Sequence, residues 1–188
     1  MTHRIFIAIN LPKEIRELLT AYQEKWMDFP AKWTKPENLH VTLFFIGDVT
    51  GEILEDVKRV TKQVASDAKR FSLKLEKITY GPPNIIPPKM TWAIGETAEE
   101  FSLLEKIIEK KIKEIHPSIV VAKRETIPHI TLSRIKEWEW RRFEPDERPE
   151  IEEFLEASFQ VETIELMESI LKREGPEYKV LESYKLNK

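Results

Sequence analysis

Two short stretches carry residue types that move protons, His40-Val41-Thr42-Leu43 and His129-Ile130-Thr131-Leu132. The chain holds four histidines, His3, His40, His116 and His129, and two of them open the same His-x-Thr-Leu pattern. By composition alone a single match is expected about 0.02 times, so the repeated match is a signal rather than a coincidence. Side chains alternate along a strand, which puts His40 and Thr42 on one face and Val41 and Leu43 on the other. The same holds for His129 and Thr131 against Ile130 and Leu132. If the two His/Thr faces meet, two imidazoles can divide the work of acid and base, one taking a proton from an attacking oxygen and one protonating a leaving oxygen. Two threonine hydroxyls can donate hydrogen bonds to phosphate oxygens as charge builds on them. Each acid or base contributes about 10²–10⁴ in rate, so this chemistry requires no metal or other cofactor. Two histidines without patterned carboxylates also make a poor ligand set for a metal. His3, near the N-terminus, and His116, ahead of Pro117 at a helix end, read as structural.

The rest of the chain must position these motifs. Arg4 to Asn10 reads as a buried strand, and Pro12 opens a helix with Ile15, Leu18, Leu19, Tyr22 and Trp26 on one stripe. A strand from His40 to Ile46 ends at Gly47-Asp48. A helix follows from Gly51 to Ala68, with Ile53, Leu54, Val57, Val60 and Val64 inward. Phe71, Leu73 and Leu75 alternate with polar residues as in a half-exposed strand. Gly81-Pro82-Pro83 and Pro87-Pro88 mark a loop. Met90 to Gly95 is a strand, and Thr97 and Glu100 have capping-box spacing ahead of a helix carrying Phe101, Leu104, Ile107, Ile108, Ile112 and Ile115. His129 to Ile135 is a strand, Trp138 to Glu150 an exposed excursion, and Ile151 to Ala157 a short helix. Strands around Phe159 to Leu166 and Tyr178 to Leu186 form a hairpin across Gly175-Pro176.

Strand, helix and His-x-Thr-Leu strand thus occur twice in the same order. His40 lies 34 residues after Phe6, and His129 lies 37 after Trp92. This predicts an α+β fold with two pseudo-symmetric, mainly antiparallel sheets facing a central cleft and helices outside, as one bilobal domain over residues 1–188. Two units are too few for a solenoid.

Composition narrows the function. The 188 residues include no cysteine, which excludes a disulfide framework, a thiolate metal site and a Cys nucleophile. The net charge of −3 argues against a global basic face for nucleic acid, so a phosphate partner must be met locally. No apolar run approaches the ~18 residues of a membrane helix, and Met1-Thr2-His3-Arg4-Ile5-Phe6 lacks a signal-peptide pattern. A soluble, cytoplasmic monomer is expected. The 34% of charged residues, with few Asn and Gln, suggest a heat-adapted source.

The paired motifs, with Arg4 to Ile9, His40 to Gly47, Pro88 to Gly95 and Pro128 to Arg134, resemble the 2H phosphoesterase superfamily. They are most similar to its bacterial and archaeal RNA 2′,3′-cyclic phosphodiesterases, also called 2′-5′ RNA ligases. The resemblance implies hydrolysis of a 2′,3′-cyclic phosphate on RNA or a small cyclic nucleotide to a 2′-phosphate, with no cofactor. It makes His40 the acid toward the 3′ oxygen, His129 the base for water, and Thr42 and Thr131 the phosphate holders. Phe45 and Arg134, each five residues after its histidine, become contacts for base and sugar. Strand alternation alone points both away from the histidine face unless a bulge intervenes, and Arg134 reads equally well as a surface ion-pair partner. Lys32, Trp33, Lys35, Lys123, Arg124, Trp138, Trp140, Arg141 and Arg142 offer a basic and aromatic path for single-stranded RNA, or a solvated, salt-bridged surface. ATP-independent end joining, and RNA-end binding without turnover, stay open beside hydrolysis.

Overall fold

The computed structural model describes residues 2–26, 28–119, 127–173 and 175–188. In β1 (Thr2–Asn10), Ile5, Ile7 and Ile9 join the main core, while Phe6 and Ala8 enter a separate small cluster on the opposite face. α1 (Lys13–Glu24) begins after Pro12, whose fixed φ is compatible with a helix start, and buries Ile15, Leu19 and Gln23. β2 (Ala31–Trp33) and a 3-10 turn (Pro36–Asn38) lead into β3 (His40–Thr50). The Thr50 hydroxyl caps α2 (Gly51–Asp67) by accepting the Ile53 N–H at 3.4 Å. Leu54, Val57, Val60 and Val64 recur every three or four residues and form the buried stripe of that helix. β4 (Phe71–Gly81), β5 (Met90–Gly95), α3 (Glu99–Ile115), β6 (His129–Ile135), α4 (Glu137–Trp140), β7 (Glu152–Val161), β8 (Thr163–Lys172) and β9 (Gly175–Lys185) complete the order.

The fold is α+β, and the pairings between these strands are antiparallel. Strand order is β7-β4-β5-β6-β3-β1-β8-β9, with β2 beside β6. The two expected sheets are two halves of one hydrogen-bonded path, and the seam between them is the single pair Val41↔Ile130. Beyond it β3 parts from β6, and β2 takes the freed edge through Lys32↔Arg134 and Trp33↔Ser133. α2 packs on β1, β3, β8 and β9, and α3 packs on α2 and β3, so the helices lie behind the sheet. Among the described residues no helix is long and apolar enough to cross a membrane.

Four local expectations are corrected. Residues 152–157 are strand, within β7, which pairs with β4. Ile151, Leu155 and Phe159 are buried four apart, a spacing that suits one helical turn and also two strand repeats; the neighbouring strand decides. Helix α3 starts two residues beyond Thr97, with Ala98 at its cap and no side-chain cap bond, so no capping box forms. The hairpin near the C-terminus is β8–β9 over 163–185, and Phe159 belongs to β7 instead. The 138–150 excursion is anchored, because Trp140 is buried edge-on against Phe29 and Tyr80, with ring centroids 5.7 and 5.5 Å away. His3 sits within β1 and pairs with Glu168 at 2.6 Å, while His116 ends α3.

Candidate active site

The seam brings the two motifs together. Val41 and Ile130 pair across it and are fully buried toward the helices. Carried one residue either way, the antiparallel register sets His40 opposite Thr131 and Thr42 opposite His129, all four on the face away from the helices. Charge on His129 reaches His40 and opposes its protonation, as adjacency requires.

Each imidazole is oriented by a main-chain carbonyl two residues earlier. His40 Nδ1 meets the Asn38 carbonyl at 2.8 Å, and His129 Nδ1 meets the Ile127 carbonyl at 2.9 Å. A carbonyl only accepts, so Nδ1 carries the hydrogen in both rings and Nε2 carries the lone pair of the neutral imidazole. His40 Nε2 lies 3.0 Å from Thr42 Oγ1, which donates to it when the ring is neutral. Burial is the main influence on His40 and lowers its pKa; the bond to Asn38 works in the opposite sense, and His129 lowers it further.

The walls differ. Phe6 and Tyr178 each stand 5.1 Å from the His40 ring, Tyr178 edge-on at 90°. His129 lies flat on Trp92, with centroids 3.9 Å apart and planes 21° from parallel. Trp92 in turn rests on Gly81, where an added Cβ would come within 2.2 Å of the indole.

Strand alternation fails at the same place in both motifs. In β3, Ala8 pairs with Thr42 but Ile7 with Phe44, leaving Leu43 as the extra residue of a bulge. In β6, Trp92 pairs with Thr131 but Thr91 with Ser133, leaving Leu132 extra. Leu43 with Phe44, and Leu132 with Ser133, are buried as adjacent pairs, so the fifth residue after each histidine returns to the histidine face. Phe45 therefore stacks by Phe6 at 6.5 Å beneath the Arg4 guanidinium, 4.8 Å from its ring centre. Arg134 lies near Tyr178, whose phenol it acts on together with Arg4, against the burial that raises the Tyr178 pKa. Phe45 and Arg134 thus share the histidine face, where strict alternation would have turned them away. The Leu132 carbonyl accepts the Thr34 N–H at 2.8 Å and the buried Gln23 amide at 2.9 Å.

Tyr178, Trp92, Asn38 and Gln23 escaped the sequence reading of the site. Trp92 had a signal in its place on the strand equivalent to β1; Tyr178 had none, since β9 lies outside the repeat. Of the flanking residues, Lys32 is exposed and in register with Arg134, whereas Trp33 packs on the core. Trp140 is buried and Arg141 pairs with Glu137, while Trp138 is 62% exposed with Arg142 at 6.0 Å from its ring. Lys123 and Arg124 lie outside the described residues. Among the described residues no three His, Asp or Glu side chains are grouped to hold a metal ion.

Residues 9–92 match the family model described as LigT like Phosphoesterase. The RNA 2′,3′-cyclic phosphodiesterase of Methanocaldococcus jannaschii is 27% identical over 96% of this chain and 99% of its own. That of Thermus thermophilus is 31% identical over 97% of this chain and 90% of its own. The crystal structure of TT0787 of Thermus thermophilus superposes with a TM-score of 0.85 at 31% identity, covering 97% of each chain.

Proposed function

The chain belongs to the LigT-like 2H phosphoesterase family, and on that premise we propose that it opens 2′,3′-cyclic phosphates at RNA or nucleotide ends, leaving a 2′-phosphate. What supports this most directly is the pair of imidazoles flanking one ladder pair, each with Nδ1 bonded to a carbonyl and each with a threonine of the opposite motif across from it. The name carried by the relatives points the same way.

In this reading His129 Nε2 takes a proton from water as the water oxygen bonds to phosphorus. The P–O3′ bond breaks on the opposite side, and His40 Nε2 delivers a proton to O3′. Thr42 and Thr131 turn their hydroxyls to the non-bridging oxygens, where negative charge grows. Burial holds His40 toward the neutral form, so the anionic phosphate is what draws a proton onto it before reaction. Phe45 and Arg134 border the base and sugar, and the cations Arg4 and Arg134 supply local attraction that the net charge of −3 does not. The residues act as one metal-independent unit on an RNA end or a small cyclic nucleotide.

The test is product analysis of a 2′,3′-cyclic nucleotide incubated with chelator-treated protein. The expected product is the 2′-phosphate. Ring opening that stops with the chelator would remove metal independence, a 3′-phosphate would reverse the leaving oxygen, and tight binding without turnover at any pH would leave only an RNA-end-binding role.

A further inference from the structure

His40 is tied to a strand that lies far from it in sequence and outside both motifs. Asn38 closes the 3-10 turn before β3; its carbonyl takes the His40 Nδ1 hydrogen at 2.8 Å, and its side-chain Nδ2 donates to the Pro176 carbonyl of β9 at 3.2 Å. Two residues on, Tyr178 sets its ring edge-on to His40 at 5.1 Å and packs on Phe6 at 5.1 Å. The same stretch begins at Gly175, whose φ of +126° suits glycine and whose backbone runs close to Lys32; a Cβ there would lie 2.8 Å from Lys32 Nζ. Lys32 belongs to β2, which pairs with β6, so this end of β9 touches both sides of the seam. On the other side of the seam the His129 ring meets the Ile127 carbonyl and the face of Trp92.

We propose that Gly175–Tyr178 of β9 is a strap that sets the His40 imidazole, with Asn38 and Tyr178 as positioning residues. Asn38 fixes which nitrogen carries the hydrogen by holding the accepting carbonyl in place through its own amide. Tyr178 closes one flank of the ring against water. The groups that face this cluster are His129 from β6, Tyr178 itself, and Arg4 of β1 and Arg134 of β6 beside its phenol; Glu177, the neighbour in β9, is exposed and held by Lys172. The consequence for turnover rests on the hydrolytic reading above, whereas the consequence for the ring does not.

The test is a ¹⁵N and ¹H NMR titration of the histidines in the ligand-free protein, beside kinetics on a 2′,3′-cyclic nucleotide. In the parent protein His40 should titrate below the ordinary imidazole range. Tyr178→Ala should move that titration up by about 0.5–1 pH unit by readmitting water, and Tyr178→Phe, which keeps the ring, should restore it. Asn38→Ala should shift the His40 ¹⁵N pattern away from the single Nδ1–H tautomer and leave that of His129 alone. Both Ala variants should lower kcat by about 10- to 100-fold with KM little changed, as misplacement of a reacting group does. If the His40 signals are unmoved in folded Asn38→Ala and Tyr178→Ala, the strap is overturned. If they move as stated while the parent protein opens no cyclic phosphate, the strap stands and the hydrolytic reading falls.

Discussion

The His40 and His129 half-sites share more than a motif. Each histidine bonds a carbonyl two residues back, and each motif ends in a one-residue bulge that returns the fifth residue after the histidine to the same face. Their surroundings part company from there. His40 stands between the edge of Tyr178 and a tilted Phe6 ring and is tied through Asn38 to β9, whereas His129 lies flat on an indole backed by a glycine. The shared motif sets the strand face and the bulge, while the walls come from strands outside it and surround the two rings differently.

The largest test of that comparison is removal of each ring in turn. His40→Ala and His129→Ala should each lower kcat/KM by about 10²–10⁴-fold on a 2′,3′-cyclic nucleotide, and a half-site whose loss leaves turnover unchanged is not part of the chemistry. Next come the hydroxyls. Thr42→Val and Thr131→Val each remove a hydrogen bond to a charged oxygen, about 1.5–3 kcal/mol, and should cost about 10- to 100-fold in kcat/KM without lowering the melting temperature. Equal losses would mean that the Thr42–His40 bond adds nothing of its own.

Gly81→Ala probes the His129 wall alone. Its new methyl would overlap Trp92, so stability measured by urea unfolding should fall by about 1–3 kcal/mol, with turnover reduced as the indole leaves its histidine. Unchanged stability would show that Trp92 moves freely. The smallest effect concerns pH. Burial depresses the His40 pKa in the native state below its ordinary 6.5, so between those two values the unfolded chain binds a proton that the folded one refuses. Stability is full above 6.5 and declines as pH falls across that window. Comparing urea midpoints at mildly acid and neutral pH, His40→Gln should flatten this slope.

Much of the architecture was legible because hydrophobic period survives in single elements. Met90–Gly95 and His129–Ile135 begin and end where the pattern places them, and α2 differs by one residue at its end. Errors arose where period is ambiguous or a neighbour decides. The four-residue spacing through Ile151, Leu155 and Phe159 is strand only because β4 offers an edge, and the three residues of β2 form because β3 leaves β6 uncovered. Trp140 reads from sequence as a stacking platform or as part of a solvated loop, yet it is buried against Phe29 and Tyr80, which no local pattern announces. For Phe45 and Arg134 strict alternation misled, since a bulge is paid for by partners such as Gln23 that are remote from it in sequence.

The amino-acid order alone determined that two His/Thr faces exist and that each rides on a strand with an apolar reverse side. Alternation and burial are local consequences of side-chain type, so a single chain displays them. Only the tertiary structure decided that Val41 and Ile130 pair, that bulges turn Phe45 and Arg134 to the histidine face, and that β9 brings Tyr178 to His40. Those outcomes depend on hydrogen bonds and packing between segments far apart along the chain, and such partners leave no periodic mark in either segment.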